Sequence, residues 1–223
     1  MLNACHIHMP PCHQPYYLIT VCMFSLSEHS LHFISQHLHS CGWCVVDDAL
    51  PAEAALSLAA HAAALPDQAL HRAGVGRAGQ HQTLDTLRRD HIAWLDEQHT
   101  PDDIWLGAMA LLQQHLNQQL YLGLQTYEAH YARYQPGDFY GRHVDAFKGQ
   151  SNRVVSTVLY LNGDWPVDNS AGGELVLYAP EATHYIKPAL ARLVVFLSED
   201  LPHEVLPAAR TRHSIAGWFR ARG

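Results

Sequence analysis

Residues 126–145 read TYEAHYARYQPGDFYGRHVD. Two segments rich in aromatic residues, 126–134 and 140–145, flank a Pro136-Gly137 turn signal, and the run ends on His143-Val-Asp145. Side chains two apart on a strand share a face, so the spacing predicts that His143 and Asp145 look into one interior, about 7 Å apart along the strand. Short segments of the same kind recur at 153–161, 174–178, 185–187, 192–197, 203–206 and 210–219, with turn signals at Asn162-Gly163, Gly172-Gly173 and Pro180. Closely spaced strands of this kind predict a sandwich or barrel.

Two imidazoles and a carboxylate suit a non-haem Fe(II) site that holds metal on one side and leaves the other open. The triplet alone is weak evidence, because a chain with 18 histidines yields about one H-x-D by chance. His203, at the start of its own strand after a long return, can supply the third ligand. Arg212 and Ser214 share a face of the last strand and suit the distal carboxylate of a dicarboxylic acid whose other end chelates the metal. Tyr160, on the strand face of Val158, offers a phenol to the same carboxylate, and Tyr134 offers a second near the mouth. Each has a plainer reading: a histidine in packing, Arg212 paired with an acid such as Glu204, tyrosines filling a β-rich core.

Upstream the pattern is helical. One helix is expected from Ser25, with Leu31, Ile34 and Leu38 on a stripe, stopping near Gly42; a second runs from Pro51 to Leu65 and is ended by Pro66. A third opens at Thr100-Pro-Asp-Asp103, carries Trp105, Met109, Leu112, Leu116 and Leu120 at helical spacing, and closes near Gly123. Residues 45–48 and 88–95 read as strands. The Cys41-Gly-Trp-Cys44 spacing matches a redox pair, but a helix precedes it and a strand follows, the reverse of a thioredoxin-like site, so a reduced structural pair is expected. The GVGRAG run at 74–79 matches a dinucleotide fingerprint without the strand before it, and 74–84 reads as a mobile loop able to cover the substrate. Residues 1–23, without a hydrophobic period, read as a disordered leader, followed by a helical support region with edge strands at 24–125 and a β core at 126–223, with 24–223 forming one structural domain.

Composition excludes some classes. A net charge of −7 with 14 Lys+Arg argues against a nucleic-acid backbone as partner. Five cysteines, all before residue 45, form no framework across the fold and point to a reducing compartment. The apolar run at 16–24 is about half a membrane span, and no Lys or Arg precedes Arg72, so a cytoplasmic protein without membrane contact is expected.

The segments GWCVVDD (42–48), LRRDHIAW (87–94), YQPG (134–137), RHVD (142–145), YLNGDW (160–165), GG (172–173), PHEVLP (202–207) and RHSIAGW (212–218) occur in the order found in one family. In them the chain resembles the 2-oxoglutarate- and Fe(II)-dependent dioxygenases of the prolyl 4-hydroxylase group, which includes the hypoxia-inducible-factor prolyl hydroxylases and their bacterial relatives. The resemblance implies a mainly β protein with flanking α-helices: a double-stranded β-helix, a jelly-roll or cupin-like barrel, supported by the N-terminal helices. It implies His143, Asp145 and His203 as metal ligands and Arg212 as the catalytic-site arginine that binds 2-oxoglutarate. Tyr160, Tyr134, Ser214, Val158, Leu175 and Trp218 would surround that co-substrate. It further implies O2 as co-substrate, ascorbate as reductant, release of succinate and CO2, and a prolyl residue of a protein as substrate; for a bacterial member a translation factor such as elongation factor Tu is the expected protein. The same chemistry on a free amino acid or small molecule, and a non-catalytic iron or 2-oxoglutarate sensor, are the alternatives. The chain departs from the family in Arg89, where glycine is usual, and in ending soon after the last strand.

Overall fold

A computed structural model describes residues 26–73, 86–95, 100–146, 151–168 and 170–222. The leader expected at 1–23 and the mobile loop expected at 74–84 lie outside the described residues. Helix α1 (Glu28–Ser40) begins where the Ser27 side chain accepts the Ser30 N–H at 3.0 Å. It ends at Gly42, whose positive φ of 81° reverses the chain into strand β1 (Trp43–Val46). Helix α2 (Ala52–Ala64) starts after Pro51, and a short strand β2 (His71–Arg72) follows. Strand β3 (His91–Trp94) is shorter than the 88–95 segment expected, because Arg88 bridges to Tyr140 instead of continuing that strand.

Helix α3 (Thr100–Leu120) buries Trp105, Met109, Leu112 and Leu116 completely, as the helical spacing predicts. The β core then runs through β4 (Leu124–Tyr134), β5 (Tyr140–His143), β6 (Arg153–Tyr160), β7 (Leu175–Tyr178), β8 (Thr183–Ile186), β9 (Leu193–Leu197), β10 (His203–Val205) and β11 (Arg212–Ala221). One sheet has the order β1-β9-β6-β11-β4-β3-β2 and the other β5-β10-β7-β8. Every pairing is antiparallel. Strands from before residue 125 thus flank strands from after it within one sheet.

Period-two alternation divides the large sheet's side chains between two cores. Val155, Leu159, Leu193, Val195, Ile215 and Phe219 face the helices. Tyr134, Tyr160, Val194 and Phe196 face the small sheet, with Leu175, Leu177 and Val205 opposite. The first core fixes the sheet; the second surrounds the candidate site.

Both open sides of the sandwich are bridged. Trp43 at one edge packs against His184 of β8 in a tilted contact, ring centroids 4.4 Å apart, and donates to Glu181 at 3.2 Å. At the other edge, Gly141 N–H donates to Leu87 O at 2.6 Å and Arg89 N–H to Phe139 O at 3.0 Å. The architecture is the mainly β jelly-roll with flanking helices expected from the sequence. Cys44 is buried in β1, and burial pushes its thiol up to about 12, the opposite of what a redox thiolate requires. Among the described residues no helix is long and apolar enough to cross a membrane.

Candidate metal centre and its pocket

His143 is the last residue of β5 and stands directly opposite His203 of β10, with ring centroids 4.2 Å apart. Asp145 is not on the strand: β5 stops at His143, and the chain bends at Asp145. Strand alternation therefore does not explain how Asp145 reaches the site; the bend does. Its Oδ1 lies 3.7 Å from His143 Nε2 and its Oδ2 3.7 Å from His203 Nε2. One ligand atom from each of the three residues falls within 4.8 Å of the others.

The site is prepared for a cation. His143 Nδ1 bonds the Gly141 carbonyl at 2.8 Å and His203 Nδ1 the Leu201 carbonyl at 2.9 Å, so each Nδ1 carries the proton and each Nε2 presents a lone pair to the centre. Burial, and then His203, push the His143 pKa down to about 4, which keeps the ring neutral. Burial alone would raise Asp145, but His203, His143 and the Ser156 hydroxyl outweigh it and hold the carboxyl below its usual range. Ser156 Oγ donates to Asp145 Oδ2 at 2.6 Å and is itself bonded to Ser198 Oγ at 2.8 Å. Two imidazole Nε2 atoms and an ionised carboxylate on one side of a point are the donor set that a non-haem Fe(II) ion requires.

On the inner face of the large sheet lies Arg212, only 1% exposed. Its Nε donates to Gly173 O at 3.0 Å and its Nη1 to Ser214 Oγ at 3.3 Å. Its guanidinium carbon is 4.8 Å from the Tyr134 ring centre and 5.0 Å from that of Tyr160. Gly172 and Gly173 are both at positive φ, and a Cβ on Gly172 would fall 2.4 Å from Pro207 O, so only glycine lets this backbone close over the arginine. Among the described residues no carboxylate pairs with Arg212. Glu204, the acid that could have neutralised it, accepts from Tyr178 instead. The Tyr160 hydroxyl is buried with no hydrogen-bond partner, and burial pushes its pKa up to about 12, leaving a protonated phenol with an unused donor. A buried cation and an unused donor side by side make a receptor for an anion.

The remaining expected residues lie around these two points. Leu175 and Val158 belong to the inter-sheet core with Tyr134 and Tyr160. Phe196 in that core touches the His203 ring at 4.8 Å, joining the arginine end to the metal end. Trp218 is buried, its indole N–H close enough to Asp145 to help hold the carboxylate ionised. His130 and Trp94 extend this aromatic face, and Trp94 is 55% exposed at its rim.

Sequence reasoning missed Ser156, Ser198, Tyr140 and the Arg88–Asp90 pair. Ser156 was within reach, since it alternates with Val158 and Tyr160 on β6. Tyr140 stacks on His143 although the two are an odd number of residues apart, so periodicity offered no signal.

Residues 129–220 match the model of the 2OG-Fe(II) oxygenase superfamily. The crystal structure of a Pseudomonas putida prolyl-4-hydroxylase superposes with a TM-score of 0.78 at 39% identity, covering 86% of this chain and all of that one. Egl nine homolog 1 of Homo sapiens is 31% identical over 199 residues, 85% of this chain and 46% of the human protein. The chain spans about half the length of such curated relatives. A Trichoplax adhaerens prolyl hydroxylase, solved with a hypoxia-inducible-factor peptide, shares the fold with a TM-score of 0.75 at 22% identity, covering 94% of each chain.

Proposed function

The chain belongs to the 2OG-Fe(II) oxygenase superfamily, in its prolyl hydroxylase group, and from that premise we propose that it hydroxylates a prolyl residue of a protein substrate. His143, Asp145 and His203 hold Fe(II) in this reading. Arg212 binds the distal carboxylate of 2-oxoglutarate, with Tyr160, Ser214 and Tyr134 around it. Bound there, Fe(II) with 2-oxoglutarate and O2 supplies the oxidation that converts a C–H bond to C–OH while the co-substrate leaves as succinate and CO2.

The protein's own part is positioning. The Arg212 fork and the Tyr160 hydroxyl fix the co-substrate's tail, so its reactive end reaches the triad in one orientation. Val158, Leu175 and Phe196 keep the space between dry. Ser156 keeps Asp145 ionised and turned toward the two imidazoles. Trp94, exposed beside His130 and Trp218, gives the open side an apolar rim suited to a polypeptide rather than a small solute.

The observation that carries the proposal is the buried, uncompensated Arg212 beside the partnerless Tyr160 hydroxyl, on the inner face of the large sheet, which packs against the small sheet that carries His143 and His203. A translation factor as the substrate, ascorbate as reductant and a cytoplasmic location complete the reading. The test is to incubate the Fe(II)-loaded protein with 2-oxoglutarate, with and without ascorbate, and the host proteome. Mass spectrometry should find a prolyl residue that gains one oxygen with wild type and not with Arg212→Ala. Equal modification by both proteins would contradict the assignment.

A further inference from the structure

We propose that Tyr140 and Arg88 are positioning residues for the metal centre: their side chains hold the plane of the His143 imidazole. The inference rests on the metal reading of the triad and deepens it. Each of the three ligands has its own support. His203 lies on β10, between β5 and β7, and its ring is gripped by Phe196 and the Leu201 carbonyl. Asp145 is held by Ser156, which is backed by Ser198. His143 has the weakest scaffold, because it ends a four-residue strand at the edge of the small sheet.

Its Nδ1 bond to Gly141 O fixes the tautomer, but one hydrogen bond leaves a ring free to swing about that contact. The Tyr140 ring removes this freedom. The two rings are stacked with centroids 3.6 Å apart and planes 13° from parallel. Arg88 lies over Tyr140 as well, its guanidinium carbon 4.3 Å from the ring centre. A stack at 3.6 Å leaves no room for a guanidinium on the same side, so Arg88 backs the opposite face and Tyr140 is clamped between the two.

Arg88 is fixed in turn. Its Nε and Nη2 donate to the two oxygens of Asp90, each at 2.7 Å, and Asp90 is 0% exposed. Arg88 also bridges Tyr140 through the backbone, and its neighbours Leu87 and Arg89 bond the backbone at Gly141 of β5 and at Phe139 just before it. The segment that closes this side of the sandwich is therefore the segment that sets a ligand. The Tyr140 hydroxyl has no hydrogen-bond partner among the described residues, so it is the ring that the arrangement uses.

Cobalt(II) titration of the purified full chain tests this, read by calorimetry and by the visible absorption band that reports coordination geometry. Wild type should bind one ion and Asp145→Ala should not; equal binding by both would defeat the metal reading itself and this inference with it. With that reference in place, Tyr140→Phe should keep the affinity and the band. Tyr140→Leu and Arg88→Met should bind about 10- to 100-fold more weakly, with an altered band. Arg88→Met leaves the ring in place and tests the clamp even if Tyr140→Leu fails to fold by circular dichroism. Wild-type affinity and band in a folded Tyr140→Leu or in Arg88→Met would overturn the proposal. So would a loss in Tyr140→Phe as large as that in Tyr140→Leu.

Discussion

His130 sits buried on the inner face of β4, between the rings of Trp94 and Trp218 at 5.3 and 5.4 Å. Burial, with a contribution from Arg88, pushes its pKa down to about 4. The native state therefore refuses a proton that the unfolded chain accepts at the ordinary histidine value of about 6.5. Stability contributed by the neutral ring is complete above that value and is lost as pH falls from it toward 4. At pH 5 the deficit should reach about 2 kcal/mol. Urea unfolding at pH 7 and pH 5 checks this: the wild-type drop should exceed that of His130→Gln by about this amount, and equal drops would show that His130 contributes nothing. Arg212 belongs to the same scale. Its residue type and strand position are legible in the sequence, whereas its lack of an acid partner depends on Glu204 having turned to Tyr178.

Among elements, α3 shows most directly what periodicity can read. Leu112 is completely buried among Trp105, Met109 and Leu116, where α3 packs on the large sheet. Leu112→Ala should cost about 2–5 kcal/mol in urea unfolding, from lost burial and the cavity left behind. A cost below about 1 kcal/mol would mean the helix is not part of the cooperative core. Alternation on β6 and β11 is equally legible, because period two by itself puts Tyr160 on the face of Val158 and Arg212 on the face of Ser214. Asp145 is legible as a residue but not as a geometry, because strand periodicity cannot register a bend that ends β5 two residues early. Nor can local pattern reveal that Arg88 leaves β3 to bridge Tyr140, or that Trp43 pairs with Phe196, since those partners lie far along the chain.

At the scale of the molecule, function follows from two sheets that each supply half of the site. The small sheet contributes His143 and His203, and the large sheet contributes Tyr134, Tyr160, Ser156 and Arg212. Neither sheet holds both metal ligands and the arginine, so the pocket exists only when they pack. The helices stabilise the outer face of the large sheet and leave its inner face to chemistry. Sequence order placed these residues in a chain, and pairing over long separations assembled them. The most direct test of the whole account is succinate formation from 2-oxoglutarate by the Fe(II)-loaded protein, compared with Asp145→Ala purified and loaded in the same way. Wild type should form succinate while Asp145→Ala falls to the level without protein; turnover by Asp145→Ala at the wild-type rate would contradict the account.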